Sequence, residues 1–298
     1  MALRTSLFLL TNLVVVATIG LLLGLATTLG WLPSDLPFTP LLLSCFLWGA
    51  GGSWLALQWS RQSAIQAMGV QLMDEGDTAE ARWLMRTVAE LAAKAGLPMP
   101  QVGIYPSREF NAFATGPGPD RALVAVSSGI LAGMPAEELE AVLGHELSHV
   151  ANGDMVTLSL LQGVVNAFVL FLARILWLLV PSGRDEQGRA RPPAPALLQP
   201  LELLLGLAGS LITAWFSRHR EYRADTGAAQ LVGTEAMVGA LERLGTAADL
   251  LEPGAGPAID CLKIAGPSGL LGLLASHPPL TERIRALREA QAAQVALP

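Results

Sequence analysis

His145, Glu146 and His149 form a His-Glu-x-x-His motif inside Pro135 to Asp154, PAEELEAVLGHELSHVANGD. On a helix, residues four apart share a face, so the two imidazoles can converge on one metal ion with Glu146 beside it. Two neutral imidazoles suit Zn2+, which takes nitrogen and oxygen ligands in a tetrahedron and can keep its fourth position for water. A carboxylate next to that position can take the water's proton, which makes the chemistry hydrolysis. The helix is expected from Pro135 at a first helical position, Glu137, Glu138 and Glu140 in the first turns, and Leu139, Val142, Leu143 and Val150 at helical spacing.

Two histidines are one ligand short, because a catalytic zinc normally has three protein ligands. His219, Glu221, Asp225 and His277 are the candidates. In Ser217–Asp225, SRHREYRAD, Glu221 and Asp225 are four apart and share a helical face, whereas His219 points elsewhere. One carboxylate could bind the ion while the other orients a ligand imidazole, the support that metal-bound histidines usually need. The same spacing amid arginines also describes a solvated charged face.

These residues must be positioned by a chain of unusual composition. Of 298 residues, 52% are hydrophobic and only 15% charged, too apolar for an ordinary soluble enzyme and in keeping with a membrane protein. The net charge of −6 and the lack of any basic run with interleaved aromatics point away from nucleic acid as a partner. The two cysteines, Cys45 in an apolar stretch and Cys261 in a polar one, do not read as a disulfide framework.

Four apolar stretches are apparent. Leu7 to Leu32 is uncharged and long enough to cross a hydrocarbon core of about 30 Å, and it reads as a retained span, not a cleaved signal. Phe38 to Trp59 follows, with Trp48, Trp54 and Trp59 as interfacial anchors, so residues 1–60 make a transmembrane hairpin. Met155 to Val180 and Leu197 to Phe216 form a second hydrophobic hairpin, 155–216, joined by the polar linker Pro181 to Ala196. Arg174 and Glu202 interrupt it, which leaves open whether it crosses fully or is sheltered near an interface. Arg4, Arg61, Arg218, Arg220 and Arg223 flank the apolar stretches and place the catalytic side in the cytoplasm.

Residues 61–154 and 217–298 are the two parts of the catalytic domain. A helix is expected over Thr78 to Ala95, ending at Gly96 and Pro98, and others over Thr234 to Ala247 and Leu280 to Ala293, around a Gly/Pro-rich loop from Glu252 to Gly269. Gln101 to Tyr105 and Ala122 to Ser127 read as strands of a small sheet. Between them, Phe110 to Thr115 includes Asn111, Ala112 and Phe113; an exposed sheet edge here could hold an extended peptide through main-chain hydrogen bonds.

HELSHVANGDM, then QGVVNAF and FLARIL, then SRHREYRAD, with FNAFATG upstream and SHPPLTERI downstream, resemble in content and order the HtpX family of membrane zinc metalloproteases, relatives of the CAAX prenyl endopeptidases. The resemblance covers nearly the whole chain. It implies one zinc ion per chain on His145, His149 and Glu221, with Glu146 as the catalytic glutamate and Asp225 supporting a ligand histidine. It implies that His277 contacts the substrate carbonyl or holds a loop. It also implies a multi-pass bacterial inner-membrane protease acting on unfolded or damaged membrane proteins under stress, and is compatible with association with other quality-control proteases.

The expectation is therefore an α-helical membrane protein with an α+β zincin-like metalloprotease domain, mainly helical with a small β-sheet. Its activity would be metal-assisted peptide hydrolysis with Glu146 as the base. A non-catalytic zinc-stabilised membrane chaperone is the alternative from another class, but a structural zinc closes its fourth position and has no use for Glu146. A transporter would need charged residues paired within its spans, and the first hairpin has none.

Overall fold

The structure, a computed structural model, describes residues 20–21, 24–25, 27–30, 38–74, 78–179, 195–250 and 277–295. Most of the first apolar stretch, nearly all of the linker from Pro181, the whole loop from Glu252 to Gly269, and Cys261 lie outside the described residues. The chain divides into two units, Met1–Ala56 with Ser159–Ile212, and Leu57–Leu158 with Thr213–Pro298.

Among the described residues, three helices are long and apolar enough to cross a membrane: α1 (Phe38–Met68), α5 (Asp154–Leu179) and α6 (Leu198–Val232). In the first unit, small residues set their packing. A Cβ built on Gly49 of α1 would lie 2.5 Å from the backbone nitrogen of Ala167 on α5, and Gly163 of α5 faces Ala50 and Ser53 in the same way. Between lipid-exposed helices, close backbone approach supplies van der Waals contact that apolar burial does not. Gly209 of α6 faces Val165 and Val169 of α5, and Arg174 donates to Glu202 Oε1 at 3.0 Å. The two charges interrupting the second hairpin thus satisfy each other. Leu203, Leu207 and Leu211 of α6 point outward, as a lipid-facing stripe does.

The second unit holds a four-stranded mixed sheet in the order β1-β2-β4-β3, with β1 Gln71–Leu72, β2 Gln101–Tyr105, β3 Ala112–Thr115 and β4 Leu123–Ser127. β2 and β4 run parallel, Gln101 opposite Leu123, while β3 returns antiparallel along β4 with Phe113 opposite Ala125. β1 is too short to leave a sequence signature and was not anticipated. Side-chain alternation divides the sheet into two packed faces. Val102, Val124 and Val126 face α2 (Ala79–Lys94) and α4 (Ala136–Asn152), packing with Leu84, Val88, Leu91, Leu139, Leu143 and Leu147. Tyr105, Phe113, Leu123 and Ala125 face Ala64, Ile65 and Met68 at the end of α1. Each fully buried leucine of that core contributes about 1.5–3 kcal/mol, which anchors α4 against the sheet.

The local signals behind these elements are identifiable. Thr78 caps α2 by accepting from the Ala81 amide at 3.2 Å, and the helix gives way to Gly96 in the left-handed region, as expected for that segment. Pro135 was expected as the first helical residue of α4; with ψ 147 it is instead the extended residue before the first turn, and the helix starts at Ala136. A short helix α3 (Ser128–Gly133) precedes α4, while α7 (Thr234–Leu250) packs on α4 and α8 (Leu280–Val295) packs on α7. The result is a mainly helical membrane protein with a small mixed sheet, the fold class expected from the sequence.

Candidate metal centre

His145 and His149 sit on the buried face of α4, and two devices bring partners to them. Gly153, left-handed at φ 67, ends α4 and lets the chain re-enter a helix at once at Asp154. That break folds the Asp154 carboxylate back onto His149, with Oδ2 2.8 Å from Nδ1. In an unbroken helix a residue five positions on would point away. The second device is Gly227 of α6: a Cβ there would lie 2.5 Å from Ser148 Oγ, so glycine is what allows α6 to approach α4 beside His149. That approach carries Glu221 and Asp225, one turn apart on α6, onto the metal helix.

Both imidazoles are oriented the same way. His145 Nδ1 is 2.9 Å from Asp225 Oδ1, as His149 Nδ1 is 2.8 Å from Asp154 Oδ2. A carboxylate only accepts, so each Nδ1 donates and each Nε2 presents its lone pair. The two Nε2 atoms lie 3.1 Å apart, and Glu221 stands 3.4 Å from His145 through Oε2 and 3.3 Å from His149 through Oε1. Three acceptors therefore converge in a buried site, and Glu221 Oε1 has no hydrogen-bond partner among the described residues. Acceptors this close are stabilised by a shared cation, a proton in the metal-free chain or a metal ion. A tetrahedral ion with bonds of about 2.0–2.1 Å separates its ligands by about 3.3–3.4 Å, so these residues fit a small divalent metal.

The electrostatics record the same convergence. Burial pushes the His145 pKa down, but hydrogen bonding to Asp225 and Glu221 overrides it and holds the group at about 9. Burial likewise opposes protonation of His149, and Asp154 and Glu221 raise it nonetheless. Glu221 is held well below the usual carboxylate range: burial alone would raise it, and the charge of His277 with the three imidazole contacts outweighs burial. Asp225 falls to about 2 because the Arg283 guanidinium overcomes the same burial penalty. Glu146 is 5% exposed, one residue from the first ligand.

Of the four third-ligand candidates, the structure brings three together. Glu221 completes the triangle, Asp225 backs His145, and His277 Nδ1 lies 2.7 Å from Glu221 Oε2. His219 is exposed, its Nδ1 3.1 Å from the Trp215 carbonyl and its ring against the Trp215 indole. Ala112 and Phe113 belong to β3, a sheet edge paired on one side with β4. Asn111 precedes that strand; its amide donates to Ser127 Oγ, its carbonyl accepts from the Ser127 amide at 2.9 Å, and Oδ1 is buried without a hydrogen-bond partner among the described residues.

Three participants, Asp154, Arg223 and Arg283, are not assigned to the site by the sequence. Asp154 was quoted within HELSHVANGDM, and its signal was a carboxylate immediately after a left-handed glycine at the head of an apolar run. Arg223 donates to Asp154 Oδ1 at 2.6 Å. Arg283, fully buried, sends Nε and Nη2 to the two oxygens of Asp225 at 2.8 and 2.5 Å. No local pattern marks an arginine in an amphipathic helix as one that reaches a metal centre.

Residues 78–291 match the sequence profile of Peptidase family M48. The chain is 45% identical over 293 residues to Protease HtpX of Escherichia coli strain K12, covering 96% of this chain and 97% of that one. It is 44% identical to Protease HtpX of Enterobacter sp. strain 638, covering 97% and 98%. Among solved structures, the crystal structure of S. mikatae Ste24p shares the fold, with a TM-score of 0.57 at 19% identity over 92% of this chain and 67% of that chain.

Proposed function

This chain belongs to peptidase family M48, among its HtpX-type proteases, and from that premise we propose a zinc endopeptidase that hydrolyses unfolded or damaged membrane proteins. Being a metalloprotease, it acts on polypeptides through a metal. The further reading assigns that metal as zinc on His145, His149 and Glu221, and it is carried by the triangle of acceptors, 3.1 to 3.4 Å on a side. Two imidazoles and one carboxylate are a donor set suited to zinc in hydrolytic sites.

When bound, zinc supplies Lewis acidity, polarising the scissile carbonyl and making water acidic enough to react near neutral pH. The chain's own groups do the rest. Glu146 accepts the proton of the attacking water and delivers it to the leaving amine, so one carboxylate acts first as base and then as acid. Asp225 and Asp154 hold the imidazoles in the tautomer with bare Nε2 atoms. His277 holds the plane of the Glu221 carboxylate. An extended substrate lies along β3, taking main-chain hydrogen bonds from its open side near Ala112 and Phe113.

The three long apolar helices support a multi-pass membrane protein, and the bacterial relatives support the inner membrane. Arg61, Arg218, Arg220 and Arg223 favour a cytoplasmic catalytic domain built from 61–154 and 217–298. Cysteine labelling at position 120 from the external side would refute that orientation.

The test of mechanism is Glu146→Gln. In detergent with zinc, the variant retains stoichiometric metal and loses hydrolysis of an unfolded reporter by about 100-fold or more, the scale of general-base catalysis. Equal rates in the two proteins would remove Glu146 from the reaction.

A further inference from the structure

Arg283 is completely buried, at the first turn of α8, and meets two buried carboxylates, Asp225 and Glu221. Its Nε and Nη2 form a fork onto Asp225, and its Nη1 lies 3.7 Å from Glu221 Oε2 without a hydrogen-bond partner of its own among the described residues. Nη2 also lies 3.5 Å from His145 Nδ1. Both nitrogens are donors sharing Asp225 Oδ1, so that proximity is not itself a bond. Asp225 Oδ1 thus receives the arginine and the ligand histidine on one oxygen.

Burial gives this arrangement a purpose. Glu146, Asp154, Glu221 and Asp225 are all buried, and Arg283 is a fully buried guanidinium that meets Asp225 and Glu221. Without the arginine those two carboxylates would lose a cation where solvation is poor. The planar fork adds a geometric constraint that an ammonium lacks, because it fixes the plane of the carboxylate as well as its ionisation.

We propose that Arg283 is a positioning residue of the metal centre: it acts through Asp225, holding that carboxylate in the orientation that keeps the His145 Nε2 lone pair on the ion. α8 is thereby part of the active site although it supplies no ligand. The proposal rests on the assignment of His145 as a ligand, but not on the identity of the substrate.

The test is a double-mutant cycle on the full chain in detergent, read by competitive chelation of Zn2+ and by the visible absorption of the Co2+-loaded protein. Arg283→Lys keeps the charge and loses the fork. Zinc affinity falls about 10- to 100-fold, the range for loss of such outer support, and the cobalt bands change shape as His145 tilts. Asp225→Asn has an effect of similar size. Combining them adds no more than about threefold to the larger single effect, because both changes act through one contact. Multiplication of the two effects, or unchanged zinc affinity and cobalt bands in Arg283→Lys, would overturn the proposal and leave the arginine a core brace. If Arg283→Lys does not fold, Arg283→Gln, which retains one donor towards Asp225, carries the same cycle with the same two deciding outcomes. Loss of zinc from neither Arg283→Lys nor His145→Ala would instead point to an error in the ligand assignment.

Discussion

His145 and His149, the two imidazoles proposed to hold one ion, project from the same helix, yet they are supported in opposite ways. His145 leans on Asp225, which leans on Arg283, and the arginine is fully buried. His149 leans on Asp154, which leans on Arg223, and the arginine side chain is 60% exposed. The chemistry is identical, histidine to carboxylate to guanidinium. What differs is water and chain distance: Asp154 is reached through one glycine turn, whereas Asp225 and Arg283 come from two other helices. The His149–Asp154 step is a local feature of the motif, with Arg223 brought to it by α6, whereas the other relay exists only when both α6 and α8 are docked. The dry relay should therefore couple metal binding to folding, and the wet one should adjust it slightly.

Glu221 is where the two relays meet, so its removal gives the largest effect. Glu221→Ala is expected to lose zinc to stoichiometric chelator, whereas His219→Ala, whose imidazole sits on Trp215, retains it. Metal analysis of the purified variants decides it. Stoichiometric zinc in Glu221→Ala together with loss in His219→Ala would overturn the whole ligand set.

Next in size is the contrast between the two aspartates. Asp225→Ala strips the buried Arg283 of its hydrogen-bonded partner and leaves it only Glu221, 3.7 Å away, which costs about 3–5 kcal/mol of folding stability. Both variants orphan a buried imidazole Nδ1–H, at about 1–3 kcal/mol, but Asp154→Ala leaves Arg223 in water, where the lost ion pair adds only about 0–1 kcal/mol. Denaturation of the chelator-treated chains should separate the two variants clearly. Equal destabilisation would mean that the relays do not differ in the way their exposure suggests.

That contrast also explains what could be read from the sequence. His145, Glu146 and His149 were legible because helical periodicity alone places them, and Glu221 with Asp225 because a four-residue spacing defines a face. Strands β2 and β4 were legible from apolar runs between turn residues, and α2 from its Thr78 cap. Asp154 stood inside a quoted motif, but its role depends on the left-handed backbone of Gly153, which a residue count does not reveal. Arg283 was illegible for a stronger reason. In sequence it belongs to a charged helix with Glu282, Arg285, Arg288 and Glu289, and only tertiary packing removes it from water while its neighbours stay exposed.

pH sharpens the comparison at the dry relay. In the metal-free chain His145 has its pKa raised from 6.5 to about 9, since Asp225 and Glu221 outweigh burial. A raised histidine contributes stability that is fully present below pH 6.5 and is lost as pH rises through about 9. Asp225 is lowered from 3.8 to about 2, burial being overcome by Arg283, so its contribution is present above pH 3.8 and is lost as pH falls through about 2. Melting of the chelator-treated protein should therefore fall between pH 6.5 and 9. Asp225→Asn should flatten that slope. A slope of the same size in the variant would show that the proton on His145 owes nothing to Asp225.

The smallest effect belongs to the outer end of the wet relay. Arg223 donates to Asp154 Oδ1 at 2.6 Å, a short charge-assisted bond, but most of its side chain is in solvent. Exposed pairs of this kind contribute about 0–1 kcal/mol, and at physiological ionic strength charges are screened over about 8 Å. Asp154 itself is fully buried and keeps its bond to His149 when the arginine is gone, so the tautomer of that imidazole survives. Arg223→Ala should accordingly weaken zinc binding by no more than about fivefold, and the difference from the parent should shrink as salt is raised towards about 1 M, where screening reaches about 3 Å. The corresponding loss at Arg283 should not shrink, because no counterion can enter a site from which water is excluded. Chelator titrations of Arg223→Ala and Arg283→Lys at low and high salt test this directly: a salt-independent loss at Arg223, or a salt-dependent one at Arg283, would mean that burial does not separate the two arginines.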